Sequence, residues 1–132
     1  MRALIVDDSA PMRKLLGMML RKLGFEPVEA GTAAEALAQL HVPGAITVAL
    51  VDWGMPGVNG IDLIKKVRAQ AQHQDLKIIM TTAVNELDHS AYAYAAGANE
   101  YLMKPLTPAA LRAKLENLGL LHPASLAPEG RR

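Results

Sequence analysis

The sequence predicts an α/β fold in which a parallel sheet is wound on both faces by helices. Three observations lead there. Five short apolar runs alternate with five helical patterns along the 132 residues. The first, third and fourth runs are almost continuously apolar, as strands covered on both faces are. Strict β-α alternation, finally, requires parallel strands joined by right-handed crossovers. The length suits one compact domain and is too short for two.

The first strand is expected over Ala3–Val6. Ser9 can cap the helix that follows. Met12, Leu15, Leu16, Met19, Leu20 and Leu23 then recur at helical spacing as one apolar stripe, which Gly24 stops. The second strand is expected over Pro27–Ala30. The second helix opens with Thr32-Ala33-Ala34-Glu35, a capping box, and turns Ala33, Leu37 and Leu40 inward. The third strand is expected over Ile46–Val51, and its helix carries Leu63, Ile64, Val67 and Ala71 on one side. The fourth strand is Lys77–Thr81. The fourth helix, about Glu86–Ala96, is rich in alanine and tyrosine and lacks large aliphatics after Leu87. So little buried surface means either loose packing or a small-residue interface. The fifth strand is expected over Glu100–Met103. The fifth helix opens with Thr107-Pro108, cap plus first-turn proline, and runs through Leu111, Leu115 and Leu118 to Gly119. The segment 122–132, with prolines and two terminal arginines, reads as a disordered tail, so the domain is expected to occupy residues 1–121.

Composition narrows the function. Hydrophobic residues make up 51% and charged residues 20%, which favours a packed core over disorder. A net charge of +1 offers no electrostatic footprint for nucleic acid or an anionic membrane. The absence of cysteine excludes a disulfide framework and cysteine metal sites, and fits a reducing compartment. Strand-like sequence from Ala3 leaves no room for a signal peptide, and no apolar run approaches the roughly 20 residues of a membrane helix. A cytoplasmic protein is expected.

In open parallel sheets, ligands bind beyond the carboxyl ends of the strands. After Val6 come Asp7 and Asp8; after Val51, Asp52; after Thr81, Thr82 and Ala83; after Met103, Lys104 and Pro105. Three carboxylates converging at one sheet end repel one another and titrate as a coupled set. A cation would neutralise them. Oxygen ligands without cysteine suit a hard ion such as Mg²⁺. His41, His73, His89 and His122 all lie away from these strand ends, against zinc; they are read as solvent-facing and without a role. A carboxylate can also act as a nucleophile and form an aspartyl-phosphate. Asp52, on the central strand, is the natural acceptor. Lys104 would set a fixed positive charge against the transferring oxygens, and the Thr82 hydroxyl could bond one of them. Thr81 and Thr82 point to opposite faces, so only one can serve, and the following Ala83 favours Thr82.

Bland readings exist for each residue. Asp7 and Asp8 could serve as helix caps, but Ser9 already supplies the cap. A turn before Gly54 needs no acid at the end of a buried strand. A plain surface lysine has no reason to sit before a proline at a strand end, as Lys104 does before Pro105. Trp53 is most simply a packing residue beside the acceptor, and it should report on the site.

The motifs "LIVDDS", "LVDWGMPGVNG", "IIMTTA" and "YLMKP", in this order and each at a strand end, resemble the receiver domains of bacterial two-component response regulators, above all the single-domain chemotaxis type. The likeness covers roughly residues 1–119. It implies a flavodoxin-like, doubly wound sheet of strand order 2-1-3-4-5 with five helices. It implies Mg²⁺ at Asp7, Asp8, Asp52 and the backbone carbonyl of Gly54. Asp52 would accept phosphate from a histidine kinase or histidine phosphotransfer protein, with Thr82 and Lys104 on the phosphoryl oxygens. A cis peptide is implied between Lys104 and Pro105. Tyr101 would swing inward as Thr82 moves toward phosphate. Two positions depart from the pattern: Gly54 lacks the side chain that many relatives place near the phosphoryl group, and Val84 is apolar where polar residues are frequent. Both bear on the lifetime of the phosphorylated state.

The leading expectation is therefore a signalling switch whose fourth helix, fifth strand and fifth helix bind an unidentified downstream protein. A phosphorelay intermediate, passing phosphate to a histidine phosphotransfer domain through the surface around Ala10, Pro11, Lys14 and Pro105, is the alternative. A small-molecule phosphatase of the haloacid-dehalogenase kind would need an acid at position 54. A dinucleotide enzyme would need G-x-G-x-x-G where the first turn reads DDSAPM.

Overall fold

The computed structural model describes residues 1–41, 45–54, 57, 59–83 and 87–122. Val84 and residues 123–132 of the expected tail lie outside them. The strands are β1 (Arg2–Val6), β2 (Glu26–Ala30), β3 (Val48–Asp52), β4 (Lys77–Thr82) and β5 (Glu100–Met103). Between and after them run α1 (Ala10–Lys22), α2 (Ala33–Gln39), α3 (Gly60–Arg68), α4 (Leu87–Ala96) and α5 (Pro108–Asn117). A short 3-10 turn, Ala71–His73, precedes β4. The strands form one parallel sheet in the order β2-β1-β3-β4-β5, as expected.

Alternation along the strands splits the core in two. Ala49 and Val51 of β3, with Ile78 and Met80 of β4, pack under α2, α3 and α4. Val48, Leu50 and Ile79 face α1 and α5. Helix ends follow the local chemistry. Ser9 Oγ accepts the Met12 N–H at 3.2 Å, and Thr107 Oγ1 accepts that of Ala110 at 3.1 Å. Thr32 Oγ1 accepts the Glu35 N–H at 3.1 Å, but the Glu35 carboxylate reaches back to the Gly31 N–H at 2.7 Å, one residue beyond the usual box. Gly24, at φ 93°, closes α1: its N–H reaches the Arg21 carbonyl while the Phe25 N–H reaches that of Leu20.

Several expectations need correction. β3 starts at Val48 rather than Ile46 and runs on to Asp52, and β4 runs on to Thr82. The ladder continues because Asp52 still pairs with Thr81. Asp52 and Thr82 are thus strand residues, while Asp7, Asp8 and Lys104 lie just past the ends of their strands. Leu15 is 43% exposed although it lies on the apolar stripe of α1. Gly17 is buried instead, facing Pro27 and Ile5, so the buried face of α1 is centred away from Leu15. In α2 the fully buried residue is Ala36, while Leu37 is only half-buried. Ala71 is exposed because α3 ends at Arg68 and the chain tightens into the 3-10 turn. That turn tucks in His73, which is buried rather than solvent-facing. α4 buries only small side chains among its described residues, Ala93 and Ala96.

Candidate functional site

β1 and β3 are adjacent central strands, so their carboxyl ends deliver Asp7, Asp8 and Asp52 to one place. One carboxylate oxygen from each lies within 4.8 Å of the others. Asp7 and Asp52 are buried, and Asp8 is exposed. The Asp7 side chain is fixed at both oxygens: Oδ1 accepts the Ser9 N–H at 2.9 Å, and Oδ2 faces Lys104 Nζ at 3.3 Å. The same ammonium stands 3.2 Å from Asp52 Oδ1. Lys104 therefore bridges the two buried acids, at distances longer than the roughly 2.8 Å of a tight charged hydrogen bond.

The electrostatics are unbalanced. Burial pushes the Asp52 carboxyl above its ordinary range and the neighbouring Asp7 adds to this; Lys104 and the Gly54 backbone N–H only partly offset it. Burial by itself would lower the Lys104 ammonium, but the charges of Asp52 and Asp7 hold it above its usual value. This donor set fits Mg²⁺: carboxylate oxygens only, two of them buried, with a third on the open side where the ion can keep its waters.

The remaining expected residues lie around this centre. Thr82 is the last residue of β4, and the Lys104 N–H donates to its carbonyl at 2.6 Å. Alternation places Thr82 on the face of Ile78 and Met80, opposite Thr81. Tyr101 and Trp53 are half-buried and pack against the cluster on that same face. The Trp53 N–H donates to the Thr81 carbonyl at 2.8 Å. The Lys104–Pro105 peptide is cis. Around Gly54, space is open where a side chain would project. Position 54 being glycine, no acid stands two residues past Asp52, where a haloacid-dehalogenase-like phosphatase would use one.

Two residues escaped the sequence reading. Gly60, the first residue of α3, lies directly on the Asp52–Trp53 backbone; a Cβ there would collide with the Asp52 carbonyl. Its N–H also donates to the Trp53 carbonyl at 3.1 Å. Asn59 before it caps the helix by accepting the Asp62 N–H, and "NGID" was the available signal. The second is Arg13, which touches Asp7 from below.

The family model described as response regulator receiver domain matches residues 3–116. The chain belongs to that family. Among similar proteins, the chemotaxis protein CheY1 of Helicobacter pylori is 41% identical to this receiver domain over 117 residues, covering 88% of this chain and 94% of that one. The CheY homolog of Campylobacter jejuni is 40% identical over 119 residues, covering 89% and 92%. The solved structure of Vibrio cholerae chemotaxis protein CheY4 superposes with a TM-score of 0.82 at 31% identity, covering 89% of this receiver domain and 97% of that chain. Receiver domains generally bind Mg²⁺ at an acidic pocket, and Asp7, Asp8 and Asp52 form such a cluster here. No helix among the described residues is long and apolar enough to cross a membrane.

Proposed function

We propose that this receiver domain is a single-domain, chemotaxis-type switch that works by phosphorylation of Asp52. The observation that carries the reading is the grouping of a buried, strand-held Asp52 carboxylate with Asp7, Asp8 and the Lys104 ammonium. The donor is a phosphohistidine on a histidine kinase or histidine phosphotransfer protein. An Asp52 Oδ attacks phosphorus, the P–N bond breaks, and its electron pair leaves on the imidazole. Asp7, Asp8, Asp52 and the Gly54 carbonyl would hold Mg²⁺, which favours the ionised acceptor and screens the approach of the anionic phosphoryl group. Lys104 moves from bridging two acids to countering the charge on the transferred oxygens, and the Thr82 hydroxyl bonds one of them. Thr82 and Tyr101 then shift the α4-β5-α5 surface toward the form that binds a downstream protein. The chain catalyses only its own phosphorylation and dephosphorylation, in the cytoplasm.

The test uses Trp53 emission. Mg²⁺ and then beryllofluoride should each change it, and silence to both would defeat the reading. Asp52→Asn should abolish incorporation of acid-labile phosphate; retained incorporation would move the acceptor elsewhere.

A further inference from the structure

We propose that Arg13 is a positioning residue for the acid loop, braced by Glu29 so that it fixes the Asp7–Asp8 peptide from which both candidate metal ligands hang. The proposal rests on reading Asp7, Asp8 and Asp52 as the Mg²⁺ site.

Arg13 sits in the first turns of α1, yet its side chain is only 18% exposed. Its guanidinium is used as a fork. Nη1 donates to the Asp7 carbonyl at 2.7 Å, and Nε donates to Glu29 Oε1 at 3.0 Å. That first bond is short for N–H···O, as a charged donor makes it. Glu29, on β2, is held in turn by Lys14 Nζ at 2.9 Å from Oε2. These pairings, Lys14 foremost, keep the Glu29 carboxyl below its ordinary range against the opposing effect of burial. Position 31 is glycine where a Cβ would stand 3.1 Å from Arg13 Nη1, so the chain leaves room for the fork.

The Asp7 N–H is bonded to the Ala30 carbonyl at 3.1 Å, so β2 fixes one side of the residue. Arg13 fixes the other. The Asp7 carbonyl belongs to the peptide that joins Asp7 to Asp8. Releasing it lets that peptide rotate, which swings the Asp8 carboxylate directly and loosens the Ser9 N–H that holds Asp7 Oδ1. Partners that orient metal ligands typically matter about 10- to 100-fold in metal affinity.

Charge and position predict opposite signs here. Removing a cation beside a cation site should tighten Mg²⁺ binding by Coulomb's law. Losing the orientation of two ligands should weaken it. The experiment is an Mg²⁺ titration of the full chain followed by Trp53 emission, with folding checked by circular dichroism. Arg13→Gln should weaken Mg²⁺ binding about tenfold. Arg13→Lys keeps the charge without the fork; it should weaken binding less, and it decides the matter if Arg13→Gln does not fold. A second readout needs no metal: hydrogen exchange of the Ser9 amide, which donates to Asp7 Oδ1, should accelerate in the metal-free variants. Unchanged or tighter Mg²⁺ binding in a folded variant overturns the proposal, as does unchanged Ser9 protection. A wild-type chain that ignores Mg²⁺ overturns the metal site instead, and the exchange measurement still judges Arg13.

Discussion

The two ends of the sheet treat buried charge in opposite ways. Before β4 and β5 begin, Arg68 at the end of α3 is partly buried, and burial draws its guanidinium below the usual value. Its donors go to neutral acceptors: the Gly97 carbonyl at 2.9 Å, the His73 carbonyl at 2.8 Å and Asn99 Oδ1 at 2.8 Å. Asn99 Oδ1 also takes the Ile78 N–H at 2.8 Å. One cation thereby ties α3, the 3-10 turn, the end of α4 and the entry to β5. At the opposite end, carboxylates crowd one another around a single described lysine. The first arrangement is matched donor for acceptor and holds the fold. The second is left electrostatically unbalanced, which suits it to a cation. Stability and chemistry are segregated along the strands.

The sharpest way to break this division is Arg68→Ala. It removes a charged donor from several part-buried acceptors and should cost about 3 kcal/mol in urea unfolding, with Mg²⁺ affinity unchanged. A large loss of Mg²⁺ binding by the folded variant would show that the two ends are coupled. The converse uses the metal: at a hundredfold excess over its Kd, Mg²⁺ should stabilise the wild type by about 2.7 kcal/mol and Asp52→Asn by far less. Gly60→Ala probes the boundary between the regions. It should cost about 2 kcal/mol by overpacking against the Asp52 carbonyl, and should also slow phosphate incorporation. The smallest effect has the opposite sign. Folding raises the Asp52 pKa above its ordinary value of 3.8, so the folded state binds the proton more tightly than the unfolded one. Metal-free stability should therefore fall as pH rises from about that value through the raised folded pKa. Asp52→Asn should flatten this slope and, at neutral pH without Mg²⁺, unfold at a slightly higher temperature than wild type.

What was legible in the sequence is what depends on neighbours in the chain. Apolar runs marked the strands, Ser9, Thr32 and Thr107 marked helix starts, and acids or a lysine after apolar runs marked the sheet end where Asp7, Asp8, Asp52 and Lys104 meet. Contacts between distant segments left no such mark. Arg13 meets Glu29 across sixteen positions, and on a helix that is otherwise amphipathic it reads as one more surface cation. Gly60 looks like a turn residue until the strand beneath it is known. Leu15 fits the stripe of α1, and only the packing of Gly17 against Pro27 and Ile5 shows which side of the stripe is buried. His73 was misplaced because the 3-10 turn that buries it has no apolar period.

The 2.6 Å bond from the Lys104 N–H to the Thr82 carbonyl welds the tip of β4 to the residue just past β5. Sliding one past the other breaks that bond. A tug on one tip thus has a main-chain route to the other, like a drawbar between two carriages, beside whatever the side chains carry.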